Sequence, residues 1–97
     1  MNVGFHPAAV RDTREITAYY REISPELAIE FQTELEATLL KAAHNPEHFH
    51  PAPNSNYRRA NLKRFPYHAL YGVKAGRIRV FVVKHHKRDP SYGLDRN

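Results

Sequence analysis

Apolar positions recur at helical spacing through the first half of the chain and at strand spacing through the second. After a short apolar start at Val3 and Phe5, Pro7 suits the opening of a helix, because the N–H it lacks is not needed in the first turn. Ala9, Thr13, Ile16, Tyr20 and Ile23 follow at steps of four and three on one stripe, with Arg11, Asp12, Arg14 and Glu15 off it. The spacing predicts a helix over 7–22. Ser24-Pro25-Glu26 offers a second start: a hydroxyl cap, a proline at the first helical position and a carboxylate at the positive end of the dipole. Ala28, Phe31, Leu35, Leu39 and Ala42 then hold one face until Asn45-Pro46 stops the helix. Two apolar stripes must pack against each other and against something more.

Residues 44–56 carry three prolines and no periodic pattern, which predicts a loop. Beyond it the period becomes two. Residues 57–63, 67–74 and 77–84 read as strands, with Phe65-Pro66 separating the first two and Ala75-Gly76 supplying a hairpin turn. If Lys74 pairs with Arg77, then Val73, Tyr71 and Ala69 share an apolar face with Ile78, Val80 and Val82. His68, Leu70, Gly72, Arg79, Phe81, Val83 and His85 fall on the other face, a mixture of cations, rings and small residues that suits binding. With Val3 to Phe5 as a further strand, the order is β-α-α-β-β-β. That order predicts an α+β fold, a helical hairpin on an antiparallel sheet.

Length and composition narrow the chemistry. A chain of 97 residues is expected to form one domain over 1–97, with a modest core and no spare mass for an internal cofactor cavity. The absence of Cys removes disulfides, thiolate metal sites and a thiol nucleophile, in keeping with a reducing cytoplasm. Residues 1–7 lack the charged start and apolar run of a signal peptide, and the apolar run Val80 to Val83 is far too short to span a membrane. Charge is unevenly placed. Residues 1–49 hold four basic groups against eight acidic ones, a net of −4, while residues 50–97 hold eleven against two, a net of +9. The second half is a candidate surface for an acidic protein segment or a nucleic acid.

Arg58-Arg59, Lys63-Arg64 and the run His85 to Arg88 form three basic groups, with Arg77 and Arg79 between them and Tyr57, Tyr67, Tyr71, Phe81 and Tyr92 interleaved. Rings among cations are what stacked single-stranded bases require; equally, the rings can be core packing and the cations solvated. RNA cleavage needs only a base for the 2′-hydroxyl, an acid for the leaving oxygen and cations on the phosphate. His85 or His68 would serve as base or acid, since a free imidazole titrates near neutral pH, and Arg59, Arg79 and Arg88 as the clamp, with no metal or cofactor. His44, Glu47, His48 and His50 lack regular ligand spacing, since Pro46 interrupts the helix that would align them. No glycine-rich phosphate loop, nucleophile elbow or paired carboxylates in the basic half support kinase, NTPase, hydrolase or glycosidase chemistry.

The stretch Arg58-Arg59-Ala60-Asn61-Leu62-Lys63-Arg64-Phe65-Pro66-Tyr67, the strand Ile78 to Val83, and His85-His86-Lys87-Arg88-Asp89-Pro90-Ser91-Tyr92 together resemble the RelE/ParE superfamily of toxins from bacterial type II toxin-antitoxin modules. Tyr19-Tyr20 before Ser24-Pro25, and Asn45-Pro46 after the second helix, extend the resemblance over nearly the whole chain. It implies a helical hairpin on a four-stranded antiparallel sheet. It also implies a cytoplasmic toxin neutralised by an antitoxin whose acidic C-terminal segment wraps the basic half.

The superfamily divides in function. RelE-like members cut mRNA on the ribosome. That branch implies catalytic roles for His85, Arg88, Arg59 and His68, and nucleic-acid contacts for Arg58, Lys63, Arg64, Arg79, Lys87 and Tyr92. ParE-like members inhibit DNA gyrase without a nuclease centre. His68 stands where several nucleases carry Arg, and Tyr92-Gly93 where many relatives have Tyr-Trp. The expectation is therefore a growth-arresting toxin acting on mRNA, with gyrase inhibition or a degenerate, non-toxic relative as the alternatives.

Overall fold

The computed structural model describes residues 1–97. Strand β1 (Asn2–Phe5) leads into helices α1 (Pro7–Ile23) and α2 (Pro25–His44), followed by strands β2 (Arg58–Asn61), β3 (Tyr67–Lys74) and β4 (Arg77–His85). The sheet order is β1-β4-β3-β2. Both helices begin with proline in the first turn, as expected, but the cap expected of Ser24 on α2 does not form. His6 caps α1, its Nδ1 accepting from the Ala8 N–H at 3.0 Å. The Ser24 hydroxyl makes no cap; it donates to the Glu26 carboxylate at 2.7 Å, while the Ser24 N–H closes α1 on the Tyr20 carbonyl.

The sheet is mixed rather than wholly antiparallel, because β1 pairs with β4 in parallel. The path of the helices explains this. Asp12 of α1 reaches the Val83 N–H near the far end of β4, so α1 continues in the direction of β1. Helix α2 returns, bringing Ala43 to the Met1 amino group at 3.2 Å and Pro46 to the Tyr71 hydroxyl at 2.7 Å. The chain thus re-enters the sheet from the end where β1 began. Two reversals, β2 to β3 and β3 to β4, then leave β4 running with β1.

A second correction concerns register. Lys74 pairs with Arg77 through a turn with positive φ at both Ala75 (52°) and Gly76 (72°), and pairing holds as expected as far as Tyr71 with Val80. The next pair is Leu70 with Val82, so Phe81 is an extra residue in β4. Such a bulge exchanges the two faces for every later residue. Val83 and His85 therefore lie on the helix face, and Val82 and Lys84 on the outer face, the reverse of the even alternation.

The core lies between helices and sheet, where Phe31, Tyr71, Ile78 and Val80 are fully buried. Tyr20, Phe31, Phe65 and Tyr67 meet mostly edge to face, with ring centroids 5.0 to 6.0 Å apart. Strand β2 is shorter than its pattern suggested. The Glu34 carboxylate of α2 accepts from the N–H groups of Lys63 and Arg64, drawing them out of the ladder. No helix is long and apolar enough to cross a membrane.

Candidate functional site

The bulge divides the histidines expected to act together. His85 sits on the helix face with its ring 5.1 Å from that of Tyr67, and its Nδ1 accepts from the Lys87 N–H at 3.0 Å. Its proton is thereby left on Nε2. A small cleft of about 190 Å³ lies there, lined in part by Glu15, Tyr19, Tyr67, His85, Arg88 and Tyr92.

His68 faces the other way and is buried. Its Nδ1 lies 3.0 Å from Nδ1 of His86, the rings lie side by side with planes 10° apart, and the Arg59 guanidinium approaches the same His86 nitrogen at 3.3 Å. A guanidinium only donates, so His86 Nδ1 accepts, and the proton of the histidine pair belongs to His68 Nδ1. Burial, then the positive charges of Arg59, His86 and Lys84, lower the His68 pKa to about 3. Burial and the Arg59 charge also lower that of His86. His68 is thus neutral near pH 7 and donates a fixed hydrogen bond.

The remaining expected site residues separate by role. Arg59 lies on the outer face, its Nε donating to Asn61 at 2.8 Å. Arg88 belongs to the turn after β4 and stacks on Tyr92, its guanidinium 3.9 Å from the ring centre. Arg79 lies over the Phe81 ring at 5.1 Å and donates to the Asn97 carbonyl at 3.3 Å, while Lys87 is exposed beside Arg88. Arg58 points to the helix side and donates to the Phe49 carbonyl at 2.8 Å, fastening the long loop. Lys63 and Arg64 sit against α2, where Glu34 holds their backbone and Glu30 pairs with Arg64 at 3.2 Å. Part of the positive half is therefore balanced by the acidic half within the fold. The expected stacking rings are also engaged: Tyr71 is core, Tyr67 packs on Tyr20 and Phe31, and Tyr57 stacks on Phe81 at 4.7 Å. Tyr92 is held between Arg88 and Arg96.

The model of the family described as ParE toxin of type II toxin-antitoxin system, parDE, matches residues 3–90. The chain belongs to the ParE toxin family. A solved structure described as the chromosomal ParDE TA system from P. aeruginosa is similar in fold, with a TM-score of 0.77 at 20% identity over 88% of this chain and 95% of that one. No curated protein sequence matches the chain.

In this ParE-family chain the residues that organise the outer face include several the sequence pattern did not single out. Asp12, placed off the apolar stripe by its charge, is only 5% exposed. Its carboxylate accepts from the Val83 N–H at 3.1 Å, the Tyr92 hydroxyl at 2.9 Å and the Arg96 guanidinium at 2.6 Å. Arg96 also donates to the Phe81 carbonyl at 2.9 Å. These two side chains satisfy the edge of β4 beyond the end of β1, where no strand pairs. Lys84 donates to the carbonyls of Asp89, Pro90 and Tyr92 at 3.0 to 3.3 Å, so its ammonium fastens the C-terminal tail. Gly93 adopts φ +82°, and a Cβ there would stand 2.4 Å from Val82 Cγ2. A tryptophan at this position would displace the tail, so the glycine follows from close packing.

Proposed function

We propose that this ParE-family toxin arrests growth by binding its target without cutting RNA, that the target is DNA gyrase, and that an antitoxin with an acidic C-terminal segment neutralises it in the cytoplasm. The observation that carries this reading is the bulge at Phe81, which puts His85 and His68 on opposite faces of the sheet. General base and general acid must flank one phosphodiester, each within hydrogen-bond reach of its oxygen. His68, moreover, is neutral and already bonded to His86. Family membership supports the same reading, and the exposed cations Lys87 and Arg88 remain free of internal carboxylates to meet an acidic segment.

The test pairs two assays on the purified toxin. Supercoiling by gyrase should fall in proportion to added toxin, while mRNA in a translating extract keeps its original 5′ ends by primer extension. New 5′ ends that vanish in His85→Ala, with gyrase unaffected, would overturn the proposal. Induced expression should stop growth, and co-expression with the antitoxin should restore it.

A further inference from the structure

Between the Ala52–Ser55 segment and the C-terminal tail, a cleft of about 240 Å³ opens on the outer face, lined by Arg59, His68, Lys84, His86 and Arg88 and by no carboxylate. Four parts of the chain supply these groups: β2, β3, β4 and the turn beyond. The nearby acids are engaged elsewhere. Asp89 Oδ1 accepts from the Ser91 N–H at 2.9 Å and the Ser91 hydroxyl at 2.8 Å, and Asp12 pairs with Arg96. The two ion pairs of the molecule use Arg64 and Arg96, so Arg59, Lys84 and Arg88 share one cleft without a salt bridge, and the carboxylate whose charge reaches them is Asp89, which lies outside the lining. Gathering like charges is unfavourable unless an anion offsets it. Burial, then the charges of Arg59, Arg88 and Arg96, press the Lys84 pKa downward against the opposing charge of Asp89, as expected for a cation crowded by others.

The donors are held ready. Arg59 uses Nε on Asn61 and Nη2 on His86, leaving the rest of its five N–H groups available. Arg88 is fixed by stacking on Tyr92, which leaves its planar fork free. Lys84, committed to three carbonyls, contributes its field. Charge decides among anions. Three cations against the one neighbouring carboxylate, Asp89, leave an excess of two positive charges, which matches a dianion better than the single charge on one phosphodiester linkage.

We propose that this cleft binds a dianionic phosphate group, either inorganic phosphate or the terminal phosphate of a mononucleotide, held by the forks of Arg59 and Arg88. The proposal goes beyond the gyrase reading and stands without it, since binding is measured on the toxin alone. The neutral, bonded His68 leaves such a site able to hold a phosphate without acting as an acid on it.

Titration of the 15N-labelled toxin at about pH 8, where phosphate is a dianion, tests this with three probes: inorganic phosphate, adenosine 5′-monophosphate and a dinucleoside phosphodiester with no terminal phosphate. Saturable amide shifts are expected at Arg59, His86 and Arg88 with the first two probes, and at least tenfold weaker binding of the diester. Arg88→Gln, at a side chain that stacks on Tyr92 and makes no salt bridge, and Arg59→Gln should each weaken binding about tenfold, the scale of one charge-assisted hydrogen bond. Lys74→Gln and Arg77→Gln at the hairpin tip, each removing one charge as the test variants do, should change it less than about twofold. Tenfold tighter binding of the mononucleotide than of phosphate identifies a nucleotide as the source, and equal binding identifies the phosphate group alone. Absence of saturation, equal loss in the hairpin control, or a diester that binds as tightly would overturn the proposal.

Discussion

The helix face of the sheet is closed by apolar side chains, with Phe31, Tyr71, Ile78 and Val80 fully buried and rings interlocked edge to face. The opposite face is closed by the tail, and charge fastens it. Asp12 and Arg96 form an ion pair with side chains 5% and 13% exposed, Lys84 grips three carbonyls, and Gly93 presses on Val82. Apolar packing is shared among many neighbours, so its loss is felt through the whole core, whereas a buried charge without its partner destabilises the contact it served. The contrast explains why a basic half-chain need not be a basic binding surface. Arg96, Lys84, Arg58 and Arg64 serve the fold, and among the cations left over Arg59, Lys87 and Arg88 lie closest together, with capacity for a partner.

Two substitutions test whether the faces differ in this way. Phe31→Ala should lower global stability by about 3–5 kcal/mol through lost transfer energy and a cavity, read as a shifted urea midpoint with all probes moving together. Asp12→Ala should cost about 3 kcal/mol, but its signature should be local: faster amide exchange at Val83 and over the C-terminal tail, ahead of global unfolding. Uniform exchange in both variants would abolish the distinction. Gly93→Ala places a methyl against Val82 in a left-handed backbone and should cost about 1–3 kcal/mol. Val82→Ala in the same chain should recover part of that loss, because it removes Val82 Cγ1 and Cγ2, the two atoms nearest the new Cβ.

The difference in what each face shows to sequence reasoning has the same origin. The helices were legible because Ala9, Ile16 and Tyr20, then Phe31, Leu35 and Leu39, repeat at the period of a helix. The hairpin was legible from Ala75-Gly76. The bulge was not, since Val80-Phe81-Val82-Val83 is apolar at every position and carries no alternation from which a change of face can be read. Asp12 was misplaced because its partner Arg96 lies 84 positions away, and a single acid beside a helix stripe resembles a solvated one. The candidate site was therefore found as a set of residues, among them Arg59, His68, His85 and Arg88, but not as an arrangement.

Acid should separate the faces further. The folded-state pKa of His68 is lowered to about 3, below its ordinary value of 6.5, so between these values the unfolded chain binds the extra proton. The stability this contributes is fully present above pH 6.5 and is lost as pH falls, by about 1 kcal/mol at pH 5.5 relative to pH 8. His86, also lowered, acts in the same direction. Urea titrations across this range should show the decline in the native chain and a shallower one in His68→Gln; equal slopes would mean that the outer face does not exclude the proton.

The smallest effect gives the sharpest control. Arg64 and Glu30 form the other ion pair, at 3.2 Å, but their side chains are 65% and 41% exposed. Water screens such a pair, and holding two long side chains together offsets most of the remaining attraction. Glu30→Gln should therefore change stability by less than about 0.5 kcal/mol and leave exchange in the tail untouched. Its neighbour Glu34, by contrast, accepts from two backbone N–H groups that have no other partner, so Glu34→Ala should be measurably worse despite the same charge on the same helix. If Glu30→Gln matched Asp12→Ala in cost, burial would not be what distinguishes the two pairs, and the ionic fastening of the outer face would have to be sought in net charge rather than in the Asp12–Arg96 contact.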